Sequence, residues 1–240
     1  MSVLSIAVAA ATGALVGTAA RTVVFARSVP APVSSRSNCP HCAGEVVTRR
    51  RPRLLPVSGR CPACMGRIGP PAFSAEVSAA AVFAAVAAGG ASGWFAAAQY
   101  WLAACGIALA LIDVAVHRLP DVLTLPACAG TLLLLTGAAL ADEPGSLGRA
   151  AAAAGVVIAA FLLLALFAGM GLGDVKLAPA VGALLGWNSW TSLWWGTGAG
   201  FLVGAVCAVA MLAAGRDRRS QIAFGPFMII GALAVSVMTA

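Results

Sequence analysis

The stretch that decides the fold is residues 150–176, which read AAAAAGVVIAAFLLLALFAGMGLGDVK. Its first part, Ala150–Gly169, is an apolar run as long as the roughly 20 residues that a helix needs to cross a bilayer. A glycine-rich turn follows and carries Asp174 and Lys176. A carboxylate is costly at membrane depth, so Asp174 is a functional candidate. Asp113, in the apolar stretch LALIDV, is the partner that we consider for it.

The composition indicates a membrane protein. Hydrophobic residues make up 61% of the chain and charged residues only 10%, which excludes an ordinary soluble domain. The apolar runs predict an all-α polytopic membrane bundle of about eight transmembrane helices. The predicted spans are Val3–Phe25, Phe73–Ala97, Tyr100–Val116, Val122–Ala141, Ala150–Gly169, Leu177–Trp194, Gly196–Ala214 and Ile222–Thr239. Alanine and glycine dominate these spans, and such small residues let helix backbones pack closely in lipid.

The positive charges predict the orientation of the chain. Short loops rich in lysine and arginine stay in the cytoplasm. A path that alternates through the predicted spans puts all of the 15 basic residues except Arg149 on one side. Asp113 ends a span that arrives at this side, and Asp174 lies in a turn at the same side. Both acids are therefore expected at similar depth, near the cytoplasmic surface.

Two carboxylates at such a position suggest either an aspartyl protease or a proton or ion pathway. If they approach within a few ångströms, they cannot both ionise and will share one proton. The charged member then draws a proton from water that attacks a peptide carbonyl, and the protonated member stabilises the carbonyl oxygen. Gly171 and Gly173 lack side chains and would let a substrate backbone lie close to Asp174.

Each of the acids also has a structural interpretation. Asp174 would cap the helix that follows it, and Asp113 would be a juxtamembrane acid paired with Arg118. Asp121 begins a span and resembles a helix-initiating residue, which makes it the second choice for the first catalytic acid. Lys176 either tunes Asp174 or marks the cytoplasmic boundary, and we favour the boundary role.

A soluble insertion at residues 28–72 contains two CxxC pairs. They are Cys39 with Cys42 and Cys61 with Cys64. This double spacing predicts a structural four-thiolate zinc site, and a segment with so few apolar residues needs such a staple to fold. Two disulfides would use the same cysteines, but structural disulfides are rare in the reducing cytoplasm. His41 is expected to be a bystander.

The insertion also carries a run of arginines at positions 49–51 and 53. Binding to nucleic acid is not predicted, because the run lacks interleaved aromatic residues for base stacking. Contact with anionic lipid headgroups is the better explanation for a juxtamembrane cluster. Glu76, at the start of the second predicted span, is expected to pair with an arginine of the insertion.

Four ordered motifs resemble those of the type IV prepilin peptidases, which are membrane aspartyl proteases of the GxGD type. The motifs are the double-CxxC insertion, LID at 111–113 with LPDVLTLP at 119–126, GLGDVKL at 171–177 and FGPF at 224–227. The resemblance covers nearly the whole chain. It implies that Asp113 and Asp174 are the two catalytic aspartates.

The resemblance also implies a substrate and a location. Family members remove the short basic leader from type IV prepilins or type II secretion pseudopilins at the cytoplasmic face of the bacterial inner membrane. Many then methylate the new amino terminus with S-adenosylmethionine, and in those members the zinc-binding region is associated with methylation. This chain departs from the family pattern after the first helix and between the CxxC pairs. Those departures concern methylation rather than cleavage.

We expect three parts in the chain. Residues 1–27 form the first transmembrane helix, 28–72 the cytoplasmic zinc-binding insertion and 73–240 the transmembrane protease core. Two other functions use the same features. A proton-coupled transporter would bury its acids near the bilayer midplane, often with an internal repeat, and no repeat is evident in this sequence. A non-catalytic zinc-binding assembly factor would dock partners through the insertion and leave the acids idle.

Overall fold

The computed structural model describes residues 2–30, 33–47, 54–215 and 223–239. These residues are helical, apart from loops and two isolated antiparallel bridges between the first two helices. The described helices are α1 (Val3–Arg27), α2 (Ser74–Gly89), α3 (Gly93–Val116), α4 (Asp121–Leu140), α5 (Leu147–Ala168), α6 (Leu172–Asn188), α7 (Trp190–Ala213) and α8 (Gly225–Met238). This architecture confirms the predicted all-α bundle.

Five of the described helices are long and apolar enough to cross a membrane, namely α1, α3, α4, α5 and α7. The other three, α2, α6 and α8, have 16, 17 and 14 residues. At a rise of about 1.5 Å per residue, they fall somewhat short of the roughly 30 Å of hydrocarbon in a bilayer. The number of helices therefore agrees with the prediction, and five of them have the length and apolarity of a full span.

The predicted boundary between the second and third spans is wrong. The apolar run continues to Ala97, but α2 ends at Gly89 and α3 begins at Gly93. Gly90 ends α2 in the left-handed conformation, with φ at +84°, which glycine adopts without a steric penalty. The residues on both sides of this turn are equally apolar, so hydrophobicity does not reveal it.

The predicted boundary between the sixth and seventh spans is also wrong. We expected the sixth span to reach Trp194, but α7 already begins at Trp190. The side chain of Ser189 accepts a hydrogen bond from the backbone N–H of Ser192 and so caps the start of α7. One serine within an apolar run thus sets the turn.

Glycine and alanine serve the packing of the helices. A Cβ atom at Gly13 or Gly17 of α1 would stand 2.5 Å from a backbone oxygen of α2, and one at Gly182 of α6 would stand 2.8 Å from the backbone of α5. In lipid, where the hydrophobic effect does not drive helices together, the van der Waals contacts of such close packing stabilise their association. Helix α6 lies at the centre of the bundle, since every residue of 180–187 is buried. The start of this central helix carries Asp174.

Arg21 of α1 fastens the insertion to the helices. Its buried guanidinium donates to both carboxylate oxygens of Glu76, at 2.9 and 2.6 Å. It also donates to the carbonyl oxygens of Pro70 and Pro71, at the end of the insertion. Glu76 therefore pairs with an arginine of the first helix and not, as expected, with one of the insertion.

Candidate active site and metal centre

Asp113 lies in the last turn of α3 and is only 6% exposed. Its Oδ2 atom accepts a hydrogen bond from the backbone N–H of Gly225, at 3.0 Å. Gly225 is the first residue of α8, and the N-terminal end of a helix carries a partial positive charge. The start of α8 therefore holds this carboxyl group in place and stabilises negative charge on it.

Asp174 lies in the first turn of α6 and is 7% exposed. Asp113 is near enough for the two carboxyl groups to interact electrostatically. Both acids line one cavity of about 460 Å³ at the same end of the bundle. Within the described part of the chain, no hydrogen-bond donor reaches the side chain of Asp174. The fold thus brings together two acids that come from separate helices.

Gly171 and Gly173 line the same cavity. A Cβ atom at Gly171 would lie 3.5 Å from Oδ2 of Asp174, so this glycine keeps the space beside the carboxylate free. A Cβ atom at Gly173 would stand 2.9 Å from the Cβ atom of Leu119. Gly173 therefore serves the packing of α6 against the loop before α4, in addition to any role toward a substrate.

Asp121 also lines the cavity, but it is exposed and forms an ion pair. Its Oδ1 atom accepts a hydrogen bond from Nζ of Lys176, at 2.6 Å, and both side chains are about half exposed. Asp121 is the first residue of α4, which agrees with the helix-initiating interpretation. Lys176 pairs with Asp121, a partner that was not predicted from the sequence, and its boundary role stays a prediction.

Arg118 does not form the ion pair with Asp113 that we considered as an alternative. Its guanidinium donates to the carbonyl oxygens of Val29 and Val33, at 3.0 and 3.4 Å. Ion pairs in which both partners are described are those of Glu76 with Arg21 and of Asp121 with Lys176. Arg118 thus ties the insertion to the loop after α3.

The four cysteines of the insertion converge on one point. Their sulfur atoms all lie within 4.8 Å of one another. The sulfur atoms of Cys39 and Cys64 are 3.7 Å apart, and those of Cys42 and Cys61 are 3.8 Å apart. Four sulfurs arranged tetrahedrally at about 2.3 Å from a zinc ion stand about 3.8 Å apart, whereas a disulfide bond is about 2.05 Å long. The geometry fits zinc and does not fit two disulfides.

The two CxxC turns share one local structure. Cys39 donates its backbone N–H to Gly44, and Cys61 donates its own to Gly66, each at 2.8 Å. His41 lies outside the sulfur cluster, with its Nε2 atom 3.0 Å from a backbone carbonyl oxygen. The expectation that four thiolates rather than His41 form the site is therefore consistent with the structure.

The ionisation of the thiols explains why this cluster suits a cation. Backbone N–H groups of Cys64 and Ala63 hydrogen-bond the sulfur of Cys61 and lower the pKa of that thiol to about 6. A hydrogen bond from the backbone of Gly66 lowers the pKa of Cys64. Desolvation and hydrogen bonds with the other thiols outweigh it and raise this pKa to about 12. A metal ion bound here would balance the negative charge of thiolate ligands and favour their deprotonation.

Comparisons with known proteins place this chain in a family. The sequence model described as the Type IV leader peptidase family matches residues 100–215, which include Asp113 and Asp174. The prepilin leader peptidase/N-methyltransferase of Aeromonas hydrophila is 35% identical over 205 residues, which cover 81% of this chain and 69% of that protein. The chain belongs to the type IV leader peptidase family.

Other relatives carry the same name. The protein of Burkholderia pseudomallei (strain K96243) is 33% identical over 211 residues, which cover 83% of this chain and 66% of the relative. The protein of Pseudomonas aeruginosa is 31% identical over 205 residues, which cover 82% of this chain and 70% of the relative. This leader peptidase family member thus spans about two thirds of the length of these relatives. No solved structure matches the chain.

Two residues beside the two acids are not assigned a role from the sequence. His117 ends α3 in the left-handed conformation, lines the cavity and lies close enough to Asp113 to interact with its charge. Gly225 holds Asp113, and a Cβ atom at this position would stand 2.9 Å from Oδ2 of that acid. The FGPF motif predicts a helix start at Gly225. It does not predict the contact of Gly225 with Asp113, which lies 112 positions away in the sequence.

Some predictions for this family member fall outside the described residues. They concern the arginines at 49–51 and 53, and Arg216, Arg218 and Arg219 of the orientation argument. Contact with lipid headgroups and the cytoplasmic orientation therefore stay predictions.

Proposed function

We propose that this protein is an aspartic endopeptidase that removes the leader from type IV prepilins or type II secretion pseudopilins. The observation that carries the proposal is the convergence of Asp113 and Asp174 on one cavity. These acids come from two helices that are distant in sequence, and both are buried. Membership in the leader peptidase family and the printed names of the relatives support the substrate class.

The environments of the two acids suggest their roles. Asp113 accepts the N–H of Gly225, which suits the charged member of the pair, so we assign it the role of general base. Asp174 lies beside this negative charge, and we assign it the role of the protonated acid. Its carboxyl O–H is placed to donate to the oxygen of the scissile carbonyl.

The reaction then proceeds by proton transfers between these groups. Asp113 takes a proton from a water molecule while the water oxygen bonds to the peptide carbonyl carbon, and Asp174 gives its proton to the carbonyl oxygen. When the tetrahedral intermediate collapses, the C–N bond breaks and Asp113 gives its proton to the departing amine. Asp174 takes back a proton from the hydroxyl group as the carboxylic acid product forms. No covalent bond to the enzyme is needed.

We also propose that the protein lies in the bacterial inner membrane with this site at the cytoplasmic face. Arg27, Arg118 and Lys176 line the same cavity as the two acids, so basic residues lie at the end of the bundle that holds the site. The leader of a prepilin is polar and is joined to an apolar helix, so the bond to be cut lies at the membrane interface. This position matches that of the two acids, since Asp113 lies at the C-terminal end of α3 and Asp174 at the N-terminal end of α6.

The insertion would hold one structural zinc ion through Cys39, Cys42, Cys61 and Cys64. Zinc would crosslink this segment, which has few buried apolar residues of its own, and it is not required for cleavage. Methylation of the new amino terminus with S-adenosylmethionine is a second proposed activity, because the relatives are named peptidase/N-methyltransferases. Mass spectrometry of the processed product, with and without S-adenosylmethionine, tests it.

The test of the peptidase is cleavage of a prepilin by the purified protein in detergent. We expect Asp113→Asn and Asp174→Asn each to lower kcat by about 10²- to 10⁴-fold, the usual contribution of a general acid or base. Asp121→Asn is the matched control, since it lines the same cavity but loses only a half-exposed ion pair with Lys176, worth about 0–1 kcal/mol. Its kcat should stay close to that of the wild type.

Three outcomes would contradict this proposal. A folded Asp113→Asn or Asp174→Asn variant that cuts like wild type would refute the paired-acid mechanism. An inactive Asp121→Asn variant beside an active Asp113→Asn variant would move the first catalytic acid to Asp121. Wild-type protein that cuts none of several prepilins would favour a transporter or a zinc-binding assembly factor.

A further inference from the structure

A second cleft meets the first cavity at the two acids. It has a volume of about 680 Å³ and lies between the last turns of α5 and one face of α7. Asp113 and Asp174 line this cleft as well as the polar cavity. The Asp174 carboxyl group, 7% exposed, has no hydrogen-bond donor in the described ranges, so it is available to a molecule that enters from either side. The acids therefore stand at the junction of two spaces.

Apart from Asp113, Asp174 and His117, the lining of this cleft is apolar. On α5 it is formed by Leu164 and Ala168, and on α7 by Phe201, Gly204, Ala205 and Ala208. The α7 residues follow a spacing of three and four, so they share one face of the helix. Phe201 remains 39% exposed although its ring packs on that of Phe224, with centroids 4.8 Å apart. This face of α7 is therefore apolar, is built mostly from small residues, and is accessible to an apolar partner.

The cavity on the other side of the acids is richer in charged and polar side chains than the cleft. Its lining includes Arg27 and Ser34, near the start of the insertion, together with Arg118, Asp121 and Lys176. A peptide with a polar part and an apolar part would fit the two spaces at once. The bond between its parts would then lie at Asp113 and Asp174.

We propose that the apolar segment of the substrate, which follows the scissile bond, docks in the cleft between α5 and α7. This assignment rests on the proposed peptidase function and adds the subsite that selects the substrate. The leader lies in the polar cavity, and the apolar segment packs against Phe201, Ala205 and Ala208. Small residues on α7 let the backbone of a second helix come close, which is the main source of helix association in lipid.

The test fills the cleft and compares two substrates. Ala208→Trp places a large side chain on the lining, whereas Ala210→Trp places the same side chain on an exposed position of α7 outside the cleft. The substrates are a full prepilin and a peptide that spans the cleavage site but lacks the apolar segment. KM and kcat are measured for both substrates in detergent, after each variant is shown to unfold at the temperature of the wild type.

We expect the wild type to have at least a tenfold lower KM for the prepilin than for the truncated peptide. Ala208→Trp should raise the KM for the prepilin about tenfold, to the value for the peptide, because it removes binding that the substrate and the transition state share. Ala210→Trp should keep the preference of the wild type. This pattern would locate the apolar segment in the cleft.

Other results would overturn the docking assignment. If Ala208→Trp leaves the prepilin KM within twofold of wild type, the cleft is empty or holds lipid during the reaction. If it raises the KM of both substrates by the same factor, the cleft binds a part that both contain. Wild-type protein that cuts neither substrate would refute the peptidase function itself, and the docking with it, so the two failures are distinguishable.

Discussion

Replacing Gly225 with alanine tests whether the start of α8 positions Asp113 for catalysis. The added Cβ atom would stand 2.9 Å from Oδ2 of Asp113, whereas ordinary contact begins at 3.4 Å. The carboxylate must therefore retreat by about 0.5 Å to relieve the overlap. This retreat lengthens or breaks the hydrogen bond of 3.0 Å that the N–H of Gly225 donates to it.

We expect Gly225→Ala to lower the catalytic rate rather than the stability of the protein. A hydrogen bond to a charged group contributes about 1.5–3 kcal/mol, and a misplacement of about 1 Å can lower a rate about a hundredfold. We therefore expect Gly225→Ala to lower kcat about 10- to 100-fold. The free energy of unfolding should change by less than about 1 kcal/mol, because the atom that must move ends a flexible side chain and alanine favours helix.

The assay combines prepilin cleavage with thermal unfolding in detergent. Gly198→Ala is the matched control, since a Cβ atom at Gly198 of α7 meets no atom within 4 Å. It should keep the kcat of the wild type. A folded Gly225→Ala variant with kcat within twofold of wild type would refute the positioning role. A large loss of stability would show instead that Gly225 serves mainly to pack against Leu119.

Two further predictions concern the insertion. Arg21→Ala should lower the free energy of unfolding by about 3–5 kcal/mol, because it leaves the buried carboxylate of Glu76 without its partner. Thermal unfolding in detergent measures this change. A loss below about 1 kcal/mol would contradict the anchoring role of Arg21. Cys64→Ser should lower the zinc content, measured by elemental analysis as ions per chain, while Cys207→Ser in α7 keeps it at one. A Cys64→Ser variant that retains its zinc would contradict the four-thiolate site.

The four-cysteine cluster could be predicted because the geometry of each CxxC turn is local. Two CxxC turns place their thiols in pairs by backbone geometry alone, and only the meeting of the two pairs needs tertiary structure. One zinc ion held by four thiolates would require this meeting of all four sulfurs. Cys39 and Cys64 are 25 positions apart and yet their sulfur atoms stand 3.7 Å apart.

The partners of the charged residues could not be predicted in the same way. Lys176 lies two positions after Asp174 in sequence, yet it bonds with Asp121 of α4. Glu76 meets Arg21 because α1 and α2 pack along their glycine and alanine faces. A charged side chain pairs with an opposite charge that lies near it in space. That distance depends on how the helices are rotated about their axes when they pack. Apolar sequence patterns carry little information about this rotation when every face is apolar.

The sequence by itself determined the class of the molecule and singled out Asp113 and Asp174 as candidate catalytic acids. Long apolar runs leave helices as the only way to satisfy backbone hydrogen bonds in lipid. A carboxylate is costly at membrane depth, which marks Asp113 and Asp174 as functional candidates. The tertiary structure alone decided what surrounds these acids. Gly225 reaches Asp113 from the far end of the chain, and α5 and α7 leave an apolar cleft beside Asp174. Both features depend on close packing of backbones, which no local pattern of residues encodes.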